Sequence, residues 1–280
     1  MAEARVSVQL SVEPLRAVPL TGIGRYTWEL VKGLRAHPGV DLRGFYANGR
    51  WIKEPASLMT APIHQSKDWG ARALRTVQRR WQKMGMQPRL RSAVFHGPNY
   101  FLPQGVEGGV VTVHDLSVLK YPQTHPPERV DGFERQLRES LTRCAHVLTH
   151  TETVKREIVN TLGWDPARIT AVPLAAAPSF KPHHCDELRP LLQRFALVDR
   201  GFTLCAATLE PRKGIARLVN AYRALPESLR NAFPLVLVGG AGWRNQELSA
   251  LVESAQQQGW LRHFGYVAEQ DLAGLMAGAR

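Results

Sequence analysis

Short apolar runs of strand length alternate along the chain with stretches whose apolar residues recur at helical spacing, and this alternation limits the fold more than any other feature. Strand-like runs fall at residues 5–10, 41–47, 93–96, 110–114, 145–150 and 168–173, then again at 202–208, 235–238 and 261–267. Helical patterns lie between them, with the Ile23, Leu30, Val31 and Leu34 stripe first, then 131–143, 151–162, 186–197, 215–224, 245–258 and 269–279. Such a succession predicts an α/β fold whose mainly parallel sheets are covered on both faces. Ligands on such sheets sit beyond the carboxyl ends of the strands. The stretch PLAAAPSFK at 173–181 interrupts the alternation and reads as a linker. Two domains are therefore expected, residues 1–176 and 177–280.

The charge balance is uneven. The 280 residues have a formal net charge of +12. Residues 1–176 hold 24 Lys and Arg against 15 Asp and Glu, and residues 177–280 hold 12 against 9, so most of the excess lies in the first half. A basic surface fits nucleic acid, anionic lipid or phosphorylated substrates. Cys144, Cys185 and Cys205 are too few and too scattered for a disulfide framework or a zinc site, and no His/Cys cluster stands out, which points to a reducing compartment. Acidic Glu3 stands where a signal peptide needs basic charge, and no run of about 18 apolar residues is present. A cytoplasmic protein is expected.

The stretch TLCAATLEPRKG, from Thr203 to Gly214, carries the strongest chemical signal. An apolar run leads into Glu210-Pro211-Arg212-Lys213-Gly214, and a helical pattern with Ile215, Leu218, Val219 and Tyr222 on one face follows. A strand that delivers two adjacent cations to the mouth of a helix describes a phosphate site, because the helix N-terminus adds free N–H groups and partial positive charge. Solvated loop cations are the plain alternative.

Other candidates sit at turns. Gly22 and Gly24 open a helix, but Thr27 replaces the third glycine of a dinucleotide fingerprint, and the turn comes long after the first strand. What remains is a glycine loop where backbone can approach a ligand. His114 ends one strand-like run beside Asp115, on the same expected rim as Gly97-Pro98-Asn99. Gly239-Gly240-Ala241-Gly242 ends another and suits backbone packing near phosphate or ribose. Residues 67–91 hold eight cations against Asp68, flanking a Leu74, Val77, Trp81 and Met84 stripe. That is the pattern of an interfacial helix on an anionic membrane, and equally of a surface helix with a solvated basic face.

Taken in order, Gly22-Ile-Gly-Arg-Tyr, His114-Asp-Leu, Thr208-Leu-Glu-Pro-Arg-Lys-Gly214, Leu237-Val-Gly-Gly240 and Gly265-Tyr-Val267 resemble the family 4 retaining glycosyltransferases of the GT-B fold. Within that family the likeness is strongest to bacterial mannosyl- and rhamnosyltransferases that build surface polysaccharides such as lipopolysaccharide. It implies two Rossmann-like domains facing each other across a cleft, an acceptor bound mainly by the first and a nucleotide-sugar mainly by the second. It also implies a metal-independent, cofactor-free reaction. On this resemblance Arg212 and Lys213 hold the donor diphosphate and act catalytically with His114, which lies beside the transferred sugar. Gly22 approaches the diphosphate, Gly240 lies by the nucleotide, and Tyr266 and Val267 contact the base. The donor is expected to be GDP-mannose or GDP-rhamnose, and the acceptor a glycan or a lipid-linked sugar, with a peripheral place on the inner membrane face.

Two departures qualify the likeness. Ala207 stands where many relatives carry another arginine. The family's Glu-x7-Glu motif, for donor sugar and ribose, has no counterpart before Arg280, so an incomplete second domain and a weak or inactive catalyst are expected. The rival functions are a non-catalytic sugar-nucleotide-binding remnant of the same fold and a basic nucleic-acid binder. The second lacks a recognition motif and any aromatic pattern beyond Trp69 and Trp81, so nucleic acid is not the expected partner.

Overall fold

The computed structural model describes residues 5–60, 93–240, 242 and 246–280. The basic amphipathic stretch at 67–91 falls outside the described residues. The chain forms two compact units: Met1–Lys120 with Asp131–Leu174, and Tyr121–Val130 with Ala175–Arg280. The sequence boundary at 176 stands near the Leu174/Ala175 division, whereas the grouping of Tyr121–Val130 with the second unit has no sequence signal. Among the described residues no helix is long and apolar enough to cross a membrane.

The first unit is built on seven strands: β1 (Val6–Ser11), β2 (Val40–Ala47), β3 (Arg50–Ile52), β4 (Val94–Gly97), β5 (Gly109–Thr112), β6 (Cys144–Thr149) and β7 (Ile169–Ala171), in the order β3-β2-β1-β4-β5-β6-β7. All neighbours are parallel except β2 and β3. The strand order reverses between β1 and β4, the place where doubly wound sheets open a crevice for ligand. Into that region lead the Gly22–Ala36 helix, which follows β1, and Gly97-Pro98, which ends β4. Leu10, Val12, Leu15, Val31, Phe45 and Ala47 make the apolar cluster under this part of the sheet.

β3 was not expected. Asn48 and Gly49 both take positive φ, 48° and 76°, and Ala47 pairs directly with Arg50. This is a two-residue hairpin of the primed type, for which Asn-Gly is the favoured pair. The Glu152–Leu162 helix behaves as its sequence predicts: Thr151 accepts from the Val154 N–H, and Gly163 ends it in the left-handed region at φ 65°.

The second unit holds three parallel strands, β8 (Thr203–Ala206), β9 (Leu235–Val238) and β10 (Leu261–His263), with β9 in the middle. Every residue of β9 is buried. Leu235 and Leu237 join Ile215, Val219, Leu248 and Trp260 on one face, while Val236 and Val238 join Leu188, Leu192, Phe202 and Leu275 on the other. Alternate side chains thus meet two separate helical layers, which is why the sequence reads as an uninterrupted apolar run.

Two expected strands end early. β8 stops at Ala206, since Ala207 and Leu209 turn to hydrogen-bond Val238 and Gly240, and β10 stops at His263, before Gly265 at φ 67°.

Leu237→Ala should destabilise the second unit by about 2–5 kcal/mol in urea unfolding, since Leu237 is only 1% exposed and its neighbours cannot collapse fully into the space. Val236→Ala should cost less, in proportion to the smaller volume removed.

Candidate active site

In the first unit the carboxyl ends of the strands gather a polar cluster. Thr21 caps the Gly22–Ala36 helix by accepting from the Gly24 N–H. A Cβ on Gly22 would meet nothing within 4 Å, whereas one on Gly24 would fall 2.9 Å from the Pro14 carbonyl. Gly24 is thus needed for packing, and Gly22 leaves the helix mouth open. One turn on, Tyr26 bonds the Thr112 hydroxyl at 3.2 Å and meets His114 edge-on, with ring centroids 5.2 Å apart. His96 reaches the same Thr112 hydroxyl at 2.8 Å.

The His114 nitrogens are both engaged within the protein. Nε2 lies 2.8 Å from the Pro98 carbonyl and Nδ1 lies 2.7 Å from His150 Nε2. A carbonyl only accepts, so Nε2 of His114 carries the proton and its Nδ1 faces His150, whose other ring nitrogen lies 3.4 Å from the Val172 carbonyl. Desolvation on burial pulls the His114 pKa down to about 4, opposed by the Pro98 carbonyl and reinforced by His150. Burial, with the nearby His114, also takes His96 to about 4. Both rings are neutral at pH 7. A substrate hydroxyl reaches a His114 nitrogen only by displacing Pro98 or His150.

In the second unit the loops after β8, β9 and β10 are knitted by backbone. Leu209 N–H donates to the Gly240 carbonyl at 3.1 Å, Gly242 N–H to Leu209 at 3.1 Å, and Gly239 N–H to Gly265 at 2.7 Å. His263 Nε2 stands 3.1 Å from the Gly239 carbonyl. A Cβ on Gly239, at φ 145°, would fall 2.1 Å from the Ala207 oxygen, and one on Gly242 2.4 Å from the Leu209 oxygen. These two glycines permit the close packing, while Gly240 faces open space.

On that frame Pro211–Lys213 forms a 3-10 turn, which Gly214 closes at φ 67° before the Ile215–Arg223 helix begins. Pro presets the turn, and glycine supplies the left-handed residue that joins turn to helix. Arg212 and Lys213 are exposed, and Arg212 Nη2 lies 3.1 Å from Glu210 Oε1. The Arg217 guanidinium lies over the same turn, 3.4 Å from where a Gly214 Cβ would be. Three cations thus border one helix mouth, and they can hold a polyanion there.

The structure therefore groups Gly22 with His114 in the first unit, and Arg212, Lys213 and Gly240 in the second. Tyr266 is 59% exposed beyond β10, while Val267 packs partly into the core. Sequence reasoning missed His96, His150, Glu210, Arg217 and His263. The first two had a visible signal, since three successive strand-like runs each end in histidine. Among the described residues, His184, Cys185 and Asp186 place potential ligand atoms within 4.8 Å of one another, all exposed.

A mainly parallel sheet with this strand order, followed by a second parallel α/β unit carrying a cationic turn, fits the GT-B class of glycosyltransferase. Residues 20–179 match the model of Glycosyltransferase Family 4, and residues 193–280 that of Glycosyl transferases group 1. O-antigen chain mannosyltransferase B of Escherichia coli is 32% identical over 287 residues, covering 98% of this chain and 75% of that protein. The serotype-specific mannosyltransferase WbdA of Escherichia coli is 24% identical over 174 residues, covering 59% of this chain and 21% of that protein. Among solved structures, WaaG, a glycosyltransferase involved in lipopolysaccharide biosynthesis, superposes with a TM-score of 0.66 at 18% identity, over 97% of this chain and 73% of that one. Anabaena HepE in complex with UDP and glucose gives 0.61 at 11% identity, over 98% and 72%. The chain belongs to family 4 of the glycosyltransferases and is a transferase.

The histidine cluster sets an acid limit. A histidine whose folded pKa is near 4 and unfolded pKa near 6.5 stabilises the fold fully above pH 6.5, and that contribution is lost as pH falls from 6.5 towards 4. The full loss is about 3 kcal/mol for a buried ring such as His96. Urea unfolding at several pH values should show this slope, and His96→Asn should flatten it.

Proposed function

We propose that this chain transfers a hexose, with retention and without a metal, from a nucleoside-diphosphate sugar to a glycan or lipid-linked acceptor in surface polysaccharide assembly. The observation that carries the reading is the cationic turn of Arg212 and Lys213, with Arg217 beside it, at the mouth of the Ile215–Arg223 helix. The name of the O-antigen chain mannosyltransferase supports mannose as the sugar, and the sequence resemblance makes GDP the carrier to try first. The UDP and glucose named with Anabaena HepE make UDP the second carrier to try.

In this mechanism the bond between the anomeric carbon and the diphosphate breaks as negative charge grows on the leaving phosphate. Fixed guanidinium, ammonium and helix N–H groups stabilise that charge more strongly in a site from which water is excluded, each contributing on the order of 3 kcal/mol. His114 is neutral at pH 7, with a ring edge that can border a sugar without placing a charge there. Tyr266, exposed past β10, offers an aromatic face to the base.

Calorimetry with GDP and with UDP tests the centre of the reading. Arg212→Ala with Lys213→Ala should weaken the preferred nucleotide at least about tenfold, as expected when charge-assisted phosphate bonds are lost. Equal affinity in the double variant would exclude the turn as the diphosphate site.

An anionic membrane is proposed as a further partner, on the eight cations at 67–91. Each basic residue near such a surface contributes roughly 1 kcal/mol, enough in sum for reversible attachment. The chain should co-sediment with vesicles containing phosphatidylserine or phosphatidylglycerol and stay in solution with phosphatidylcholine alone.

A further inference from the structure

Glu210 is 3% exposed, although the next three residues are exposed. The fold places it there by backbone: its N–H donates to the Thr208 carbonyl at 2.9 Å, and its carbonyl accepts from Lys213 at 3.1 Å. The glycine loop seals it in, since a Cβ on Gly242 would lie 3.0 Å from Glu210 Cβ. Its Oε1 faces the Arg212 guanidinium, and its Oε2 is buried with no hydrogen-bond partner among the described residues. A buried carboxylate satisfied on one oxygen is a poor device for stability, because a neutral or apolar side chain of similar volume avoids the desolvation cost. What the carboxylate does accomplish is to hold Arg212. That side chain is 31% exposed and tied on its inner side, with the other guanidinium donors left over for a ligand.

We propose that Glu210 is a positioning residue of the diphosphate site, fixing the Arg212 guanidinium before the donor arrives. This rests on the reading of the cationic turn given under Proposed function. An arginine on an exposed turn surrenders rotamer freedom when it binds phosphate, and one already held by a buried carboxylate surrenders less. The opposite effect is also physically available: a carboxylate beside a phosphate-binding cation competes with the phosphate for it. The two effects have opposite signs, so one substitution separates them.

The experiment measures GDP and UDP affinity by calorimetry on the 280-residue chain, Glu210→Gln, Arg212→Ala and the double variant, with a melting temperature for each without ligand. Glu210→Gln keeps the shape and removes the charge. It should weaken the preferred nucleotide about five- to tenfold, leave the melting temperature within a few degrees, and cost nothing further in the Arg212→Ala background. Unchanged or tighter binding by Glu210→Gln overturns the proposal, and so does an equal loss whether or not Arg212 is present. Should Glu210→Gln not fold, Glu210→Asp keeps the charge on a shorter arm and must show the same dependence on Arg212. If the unsubstituted chain binds neither nucleotide, or Arg212→Ala binds as well as it does, the diphosphate reading itself has failed.

Discussion

Parallel pairing at β9 is the constraint from which the second unit follows. A central strand with helices on both faces has no polar side, so Leu235, Val236, Leu237 and Val238 are all committed to the core. None of them can carry chemistry. Parallel strands also place the loop that follows each of them on the same rim, so polar residues that the core excludes collect in three adjacent loops. The site is what remains once the strand interiors have been spent on packing.

The first unit obeys the same rule but disposes of charge differently. Its rim gathers His96, His114 and His150 with Tyr26 and Thr112, and burial keeps His96 and His114 neutral. The second unit puts permanent cations on an exposed turn. Guanidinium and ammonium keep their charge in all ordinary conditions and suit a fixed polyanion. Neutral imidazoles bonded within the protein suit a region that must be shaped but uncharged. The two rims therefore differ in kind.

Much of this was legible in the residues, for reasons that can be named. β9 and the Glu152–Leu162 helix announce themselves through uninterrupted apolar residues and through Thr151 and Gly163 at the two ends, all of which are local. The Arg212 and Lys213 turn was legible because Pro and Gly frame it. β3 had an Asn-Gly signal that was passed over. The true ends of β8 and β10 were not legible. Ala207, Thr208 and Leu209 have strand-like side chains, and what their backbone meets is the glycine loop and the end of β9, about thirty positions away. Glu210 escaped for a similar reason, since besides its bonds to Thr208 and Lys213 it packs against Gly242, far along the chain.

That dependence also explains why the glycine loop cannot be judged by ligand contact alone. Gly240, the glycine that resemblance assigns to the nucleotide, has open space where a side chain would go. Gly239 and Gly242, on either side, press against the backbone of Ala207 and Leu209 and carry no such assignment. A Cβ at either position would push apart the strands of backbone that hold Glu210 inward, and Arg212 is tied to Glu210. The geometry of the Arg212 side chain is thus set through two steps by residues with no side chain at all. Substitution there would move the turn, whereas substitution at Gly240 would only occupy open space.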